Sequence, residues 1–329
     1  MTSPPLHILL TGGRGFLGQH IARVLLQAGH RVQIFQRAPA APMAEHPNLS
    51  YCTGDLTDCF DVQAAVEGKD LVVHAGGRVS FRRLDRADVW RNNLEGTTTL
   101  VQAMLNAPEP ARLIHISSIA AFGRSFRPSL VTEAQIWKTD PANTWYAYSK
   151  YKAELEVWRA AEEGLATTIL NPAVILGPGP WTTGTGQLFN HMHGGLSWYP
   201  GGETGFVDVR DVALAVLHEI STPSIGKRYI LASENASWQS VLNQIATALQ
   251  VPPPTRKIPS KATLPLAKSL EWMLTALSVP SPLPYEILLN SSLKHTYASD
   301  AFLQAHPEFR FRPLATTIQE TAAAYLQQL

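Results

Sequence analysis

Cysteine is nearly absent from these 329 residues: Cys52 and Cys59 are the only two, and their spacing fits neither a zinc knuckle nor a CxxC redox pair. A disulfide-stapled scaffold is thereby excluded, and a reducing compartment is the simplest expectation. An excess of charge of one sign is also missing. Lys and Arg total 27 against 26 Asp and Glu, a formal net charge of +1, so no bulk electropositive bias draws the chain to nucleic acid or an anionic membrane. Long apolar runs are lacking too. Lys268 and Glu271 interrupt the most apolar stretch near the C-terminus, which leaves no 18-residue segment that reads as a membrane span. Met1 to Leu10 carries no basic n-region, and its apolar run His7 to Leu10 is too short for a signal peptide. The expectation is a cytoplasmic protein with a small molecule as partner, no nucleic acid and no integral membrane segment; peripheral membrane contact stays open.

Metal-ligand patterns are equally scarce. His191 and His193 stand at i, i+2, which is not one helix face, and no carboxylate or Cys accompanies them. The expected metal content is none. Gly177-Pro178-Gly179 lacks the following Lys-Ser/Thr of a P-loop and reads as a connecting loop. Neither an internal repeat nor a low-complexity segment is visible.

What is present is enough apolar residue, 45% against 16% charged, for a sizeable core. Strand-length runs at Leu6 to Leu10, Arg31 to Phe35, Leu71 to His74, Leu113 to Ser117 and Thr167 to Leu170 alternate with helical patterns. Those helical patterns lie at Gly18 to Ala28, Asp61 to Val66, Asn92 to Leu105 and Ala147 to Glu162. This alternation predicts an α/β, doubly wound parallel sheet with helices on both faces. The Gly- and aromatic-rich stretch Pro178 to Gly205 reads as a lid or pocket wall. Sheet grammar then returns at Phe206 to Val209 and Arg228 to Ala232, with a helix from Asp211 to Ile220 between them and another to Gln250, capped by Ser237. Helices near Leu264 to Leu277 and Ala315 to Leu329 follow, separated by breaks at Pro252 to Pro254 and at Pro280, Pro282 and Pro284. The expected division is a nucleotide-binding core over 1–180 and 206–235, with a substrate region over 181–205 and 236–329.

Gly12-Gly13-Arg14-Gly15-Phe16-Leu17-Gly18 follows the first strand and opens the first helix. Glycines there permit a tight turn and close approach of a pyrophosphate to the backbone, while the helix N-terminus offers free N–H groups and a positive dipole end. A dinucleotide site also calls for an acidic residue about 20 residues on, to accept from the adenosine ribose. Gln36-Arg37 stands there instead. Without a carboxylate to repel it, a 2′-phosphate would find cations in Arg37 and Arg14, which favours NADP over NAD; two solvated surface arginines are the alternative. Asp55-Leu56 is placed to hold the adenine edge, or is only a turn.

Taken in order, Gly12-x-x-Gly15-x-x-Gly18, Asp55-Leu56, His74-Ala75-Gly76, Asn93-x-x-Gly96-Thr97, Ser117-Ser118, Tyr146-x-x-Ser149-Lys150 and Asn171-Pro172 resemble the extended short-chain dehydrogenase/reductase family. Within it the chain is similar to the branch of dihydroflavonol reductases and 3β-hydroxysteroid dehydrogenases. The resemblance covers the first two-thirds of the chain, and the tail shares only a generic shape. It implies a catalytic set of Ser118, Tyr146 and Lys150. It implies cofactor contacts at Gly12, Arg14, Gly15, Phe16, Leu17, Gly18, Arg37, Asp55, Leu56, Ala75, Gly76, Gly77, Asn93, Tyr146, Lys150, Pro172 and Val174. A homodimer through paired helices is implied as well. The i, i+4 spacing of Tyr146 and Lys150 puts both on one helix face, where the ammonium and a ribose hydroxyl are expected to bring the phenol toward neutrality. Tyr148 and Lys152 repeat the same spacing, and Ser117 adjoins Ser118; the family's Tyr-x-x-Ser-Lys-x-x-Ala-Glu context and Phe122-Gly123 favour Tyr146 and Ser118.

Three functions fit these residues. Hydride transfer from NADPH to a ketone, with Tyr146 as acid, is favoured by Gln36-Arg37 and by the segment Asn171 to Pro178. Phe81, Trp90, Trp181, Trp198 and Tyr199 would suit an apolar or ring substrate, or plain core packing. A nucleotide-sugar epimerase or dehydratase with retained NAD is the second reading, and a redox-sensing module without turnover the third.

Overall fold

The computed structural model describes residues 4–38, 46–281 and 284–329, apart from the side chains of 260–262; the expected break at Pro282 lies outside them. Seven parallel strands form the central sheet, in the spatial order Lys227–Leu231, Thr167–Pro172, Arg112–Ile116, Leu71–His74, His7–Thr11, Arg31–Gln36 and Leu49–Thr53. The strands carry apolar residues on both faces because both faces are covered. Ile8 and Leu10 point into one core with Ile21 and Leu25 of the helix Phe16–Gln27 and Val212 and Val216 of the helix Val209–Ser221. Leu9, Val72, Leu113 and Ile169 point the other way, onto Val62, Leu100, Met104 and Val157 from the helices Cys59–Val66, Gly96–Leu105 and Trp145–Glu162. That two-sided alternation is the doubly wound arrangement the strand and helix pattern predicts.

Strand order reverses between His7–Thr11 and Leu71–His74. The C-terminal ends of these two neighbours diverge into separate loops, and the crevice between them is where this architecture binds ligands. The segment expected to start at Asn92 begins earlier: Arg86–Trp90 is α-helical, Arg91–Glu95 forms a π-helical turn, and the α-helix resumes at Gly96.

Glu203–Asp208 does not extend the main sheet. It pairs with Val174–Leu176 in parallel and Glu234–Ser237 in antiparallel fashion as a separate three-stranded sheet. Phe206, Leu176 and the helices Trp238–Leu249 and Leu314–Leu326 form a third apolar cluster beneath it. Trp181, Leu188 and Tyr199, from the stretch expected to be a lid, pack against this same cluster. No helix is long and apolar enough to cross a membrane among the described residues.

Candidate functional site

The glycine turn closes with a hydrogen bond from the Gly15 N–H to the Gly12 carbonyl at 2.9 Å. Gly12 has φ +69°, and a Cβ on it would stand 2.5 Å from the Ala75 carbonyl oxygen; one on Gly18 would stand 2.1 Å from the Gly12 oxygen. Side chains are therefore excluded by backbone, which cannot yield as a flexible group could. Gly15 takes the N-cap position of the Phe16–Gln27 helix without a side-chain cap, so the first-turn N–H groups stay available to an anion. Phe16 packs across Gly179, where a Cβ would lie 2.4 Å from its ring. Leu17 lies half-buried against the core on the sheet side.

Behind the turn runs a buried relay. The Gly76 N–H donates to Thr11 Oγ1 at 3.0 Å, Thr11 Oγ1 and His74 Nδ1 are 2.6 Å apart, and His74 Nε2 lies 3.0 Å from Thr97 Oγ1. Thr97 Oγ1 donates to the Asn93 carbonyl at 2.6 Å. Since Thr97 spends its proton there, it accepts from His74 Nε2–H, and His74 Nδ1 in turn accepts from Thr11; the bookkeeping fixes one tautomer. Burial, with Lys150 nearby, holds the His74 pKa down at about 3, so the ring is neutral and the loop Ala75-Gly76-Gly77 is pinned without a net charge.

Gly77 connects this turn to the polar cluster: a Cβ on it would lie 3.1 Å from Asn93 Oδ1 and 4.0 Å from Lys150 Nζ. Asn93, buried in the π-helical turn, accepts from the Arg78 N–H at 2.7 Å and donates to the Arg78 carbonyl and to Ser149 Oγ at 3.1 and 3.0 Å. Its side chain is spent on fixing the loop after Gly77 to the Trp145–Glu162 helix. Arg14 donates to Gln36 Oε1 at 3.4 Å and so reaches the end of the second strand, beside exposed Arg37. Asp55 accepts from the N–H and hydroxyl of Thr57, both at 2.9 Å, and pairs with Arg91 at 3.3 Å. The Thr57 hydrogen bonds first, then Arg91 and Arg37, hold its carboxyl below the usual range. Leu56 packs between Gly76 and Gly96, where a Cβ would approach it to 3.0 and 3.2 Å. Pro172 is buried in register with Leu231, and half-buried Val174 opens the next strand.

Thr144 caps the Trp145–Glu162 helix by accepting from the Ala147 N–H at 3.1 Å. This start places Tyr146 and Lys150 on the inward face, one turn apart. Tyr146 hydrogen-bonds the Ser118 side chain, which lowers its pKa, but burial is the larger effect and leaves the phenol raised. Lys150 Nζ donates to the Ile116 carbonyl at 2.9 Å. Burial lowers its pKa to about 8, against the pull of Glu154. The protein alone therefore keeps Tyr146 protonated. Phe81 meets the Tyr146 ring edge-on at 5.6 Å.

The competing residues go elsewhere. Tyr148 stacks with Trp90 at 5.7 Å, and the Lys152 ammonium sits over the Tyr148 ring, 5.6 Å from its centre. Ser117 is buried beside Glu154. Among the aromatic residues considered for substrate contact, Phe81 alone has a ring contact with Tyr146 among the described residues. Trp90 joins the Trp145 and Tyr148 stack, Trp181 packs edge-on to Tyr325, and Trp198 lies exposed under Arg256.

Glu154, Asn171 and Arg228 were not among the site residues expected from sequence, although Glu154 and Asn171 stand in the motifs that carry the resemblance. Glu154, 1% exposed, accepts from Asn171 Nδ2 at 2.5 Å and pairs with Arg228 at 3.3 Å. Asn171 also donates to the Ser118 carbonyl at 3.0 Å, and Arg228 donates to the Glu133 and Gln135 carbonyls. Burial pushes the Glu154 carboxyl up, opposed by Ser117, Asn171, Arg228 and Lys150. An isolated buried carboxylate would cost several kcal/mol, and these partners are what allow one to stand behind Lys150. Its i, i+4 position after Lys150 was the available signal, but Glu on a helix reads as solvent-facing.

Residues 8–232 match the NAD dependent epimerase/dehydratase family. Two relatives match over 90% of this chain. One is "Putative dihydroflavonol 4-reductase" of Synechocystis, 29% identical over 304 residues and 88% of its own length. The other is 2-alkyl-3-oxoalkanoate reductase of Stenotrophomonas maltophilia, 27% identical over 310 residues and 92% of its own length. The crystal structure of gox2253 superposes with a TM-score of 0.80 at 28% identity, covering 98% of both chains. The glycine cradle at the sheet's switch point, the inward Tyr146 and Lys150 and the match across two-thirds of the sequence agree: the chain belongs to the NAD-dependent epimerase/dehydratase family and is an NAD(P)-dependent oxidoreductase of the extended short-chain dehydrogenase/reductase type.

Proposed function

We propose that this protein reduces a ketone, or oxidises the corresponding secondary alcohol, with NADP(H), on an apolar or ring substrate. The observation that carries the reading is the protonated Tyr146 phenol bonded to the Ser118 side chain, one helical turn from a buried Lys150. An acid is what a carbonyl oxygen needs as it gains negative charge, and a phenol held protonated is ready to supply it. Ser118 offers a neutral hydrogen bond to the same oxygen.

The residues present fit a dinucleotide: the cradle at Gly12 and Gly18 admits no Cβ, and an uncapped helix start faces it. When bound, the dinucleotide supplies or accepts the hydride. Gly12, Gly15 and the first-turn N–H groups would bind the pyrophosphate, Asp55 and Leu56 the adenine end, Arg14 and Arg37 a 2′-phosphate, and Lys150 a ribose hydroxyl. The preference for NADP rests on Arg14, tied to Gln36 at the end of the second strand, and on Arg37 beside it, where Gln36-Arg37 stand in place of an acidic residue. Two relatives named as reductases of oxo or flavonoid compounds support carbonyl reduction over sugar epimerisation. The homodimer belongs to the same proposal and is tested by light scattering. The discriminating experiment is cofactor analysis of the purified protein: reversible binding of added NADPH supports the reductase, and tightly retained NAD refutes it in favour of an epimerase.

A further inference from the structure

We propose that Glu286 is a positioning residue for the carbonyl chemistry: its carboxylate pins the first turn of the Trp145–Glu162 helix and so sets where the Tyr146 phenol stands. The inference rests on the reductase reading of Tyr146 and adds to it a residue 141 positions from the helix start. The first turn is the least secured part of a helix, because its N–H groups have no partner within the helix. Tyr146 is the second residue of that turn. Lys150, one turn further in, is held by the Ile116 carbonyl at 2.9 Å, and its neighbour Ser149 receives the Asn93 side chain at 3.0 Å. The middle of the helix is thus fixed by the central sheet and the π-helical turn, whereas the place of Tyr146 follows the helix start. Two side chains fix that start. Thr144 takes the Ala147 N–H, and Glu286 Oε2 takes the Trp145 N–H, both at 3.1 Å. A carboxylate there also meets the positive end of the helix dipole.

Glu286 is built into this place. It is buried, and its other oxygen accepts from the Arg86 guanidinium at 2.6 Å. Arg86 in turn holds the Trp145 side chain: the indole Nε1–H donates to the Arg86 carbonyl at 3.0 Å, and the guanidinium lies 5.6 Å from the centre of the ring. Trp145 is therefore gripped at its backbone by Glu286 and at its ring by Arg86, with Tyr146 next in the chain. The helix that carries Glu286, Tyr285–Ser292, is secured by the same device. Glu271, from the helix Ser260–Ala276, takes the Tyr285 N–H with one oxygen and the Arg83 N–H with the other, both at 3.2 Å. Arg83 stands two residues beyond Phe81, whose ring meets Tyr146 edge-on. Two buried acids from these helices thus hold both the turn that carries the phenol and the loop that packs on it. Glu286 acts through placement, since burial and the Ser118 hydrogen bond are what set the Tyr146 pKa, and proton transfer to a substrate oxygen is sensitive to ångström-scale displacement of the acid.

The test pairs turnover with a signal that needs no substrate. Full-length protein labelled with ¹³Cζ-tyrosine gives a Tyr146 resonance, identified by its loss in Tyr146→Phe, that follows hydrogen bonding at the phenol oxygen; Ser118→Ala supplies its position without the Ser118 bond. In Glu286→Ala the resonance is expected to move toward that position. The kcat for NADPH-dependent ketone reduction is expected to fall at least about tenfold, with ketone KM and NADPH affinity within about threefold of the wild type, because Lys150 and the glycine cradle are held independently. Glu286→Gln keeps an acceptor for the Trp145 N–H and should restore the resonance and most of kcat. Arg86→Met/Glu286→Leu exchanges the ion pair for apolar side chains of similar size, a replacement that folds tolerate, and leaves the Arg86 carbonyl in place for the indole. This second variant lacks the cap in a folded protein and is expected to match Glu286→Ala. An unmoved Tyr146 resonance or an undiminished kcat in a folded variant without the cap overturns the proposal. So does a loss in Glu286→Gln equal to that in Glu286→Ala, which would assign the effect to charge. A wild type inert toward ketones would refute the reductase reading separately, since the resonance is read without substrate.

Discussion

Replacing Glu154 by Gln isolates how the fold tunes Lys150. Glutamine keeps an oxygen for Asn171 and the volume of the site while removing the one charge that raises the Lys150 pKa. At the spacing of helical neighbours, about 6 Å, and an effective dielectric of about 20, the lost attraction is about 2.8 kcal/mol, or about two pKa units. Arg228, 3.3 Å from Glu154, already offsets part of that charge, so a fall of about one unit is expected. The assay is a ¹³C titration of lysine-labelled protein, with the Lys150 signal identified by its loss in Lys150→Arg. The midpoint should move from about 8 to about 7. Because Arg228 keeps the Glu133 and Gln135 carbonyls, the variant should lose only about 1–2 kcal/mol of unfolding free energy. An unmoved midpoint in a folded variant would show that Glu154 carries no charge beside Lys150 and would refute the reasoning.

Three further outcomes follow from the same geometry. Arg37→Asp should weaken NADPH binding at least about tenfold while leaving NADH within a few-fold, through the lost charge-assisted hydrogen bond and the added repulsion; calorimetry that shows equal losses would detach Arg37 from the 2′-phosphate. Gly18→Ala should abolish binding of either dinucleotide by fluorescence titration, since its Cβ would stand 2.1 Å from the Gly12 carbonyl oxygen, and wild-type affinity would contradict the cradle. His74, with a folded pKa of about 3 against 6.5 unfolded, binds fewer protons folded than unfolded between those values. Its contribution to stability is therefore complete above about pH 6.5 and is lost as pH falls toward 3; ¹⁵N correlation spectra should show a neutral Nε2–H ring at pH 6, and an imidazolium there would break the relay.

The central sheet was legible because its buried strands are apolar on both faces. Leu71 to His74 and Leu113 to Ser117 read correctly for that reason. The turn that leaves the sheet was not. Glu203–Asp208 carries the same buried apolar pattern as a core strand, and pattern alone does not say which sheet a strand joins. The lid expectation failed to foresee Trp181 in the third cluster on similar grounds, since an aromatic residue suits a pocket wall and a core equally. At the site, Tyr146 and Lys150 were readable from spacing and family context. What lies behind them depends on distant residues: Asn171 and Arg228 are 17 and 74 positions from Glu154, and no local pattern relates them. The Tyr146 pKa depends also on burial, which sequence does not give; in the protein alone burial outweighs the Ser118 hydrogen bond and raises the phenol.

The most direct measurement is NADPH consumption over a panel of alicyclic, aryl and long-chain ketones by the wild type and Tyr146→Phe. The account predicts ketone-dependent oxidation of NADPH by the wild type. It predicts a loss of at least about a hundredfold in the variant, the scale of a removed general acid, with NADPH affinity unchanged. Turnover retained by Tyr146→Phe, or a wild type inert toward every ketone while interconverting nucleotide sugars with bound NAD, would contradict it.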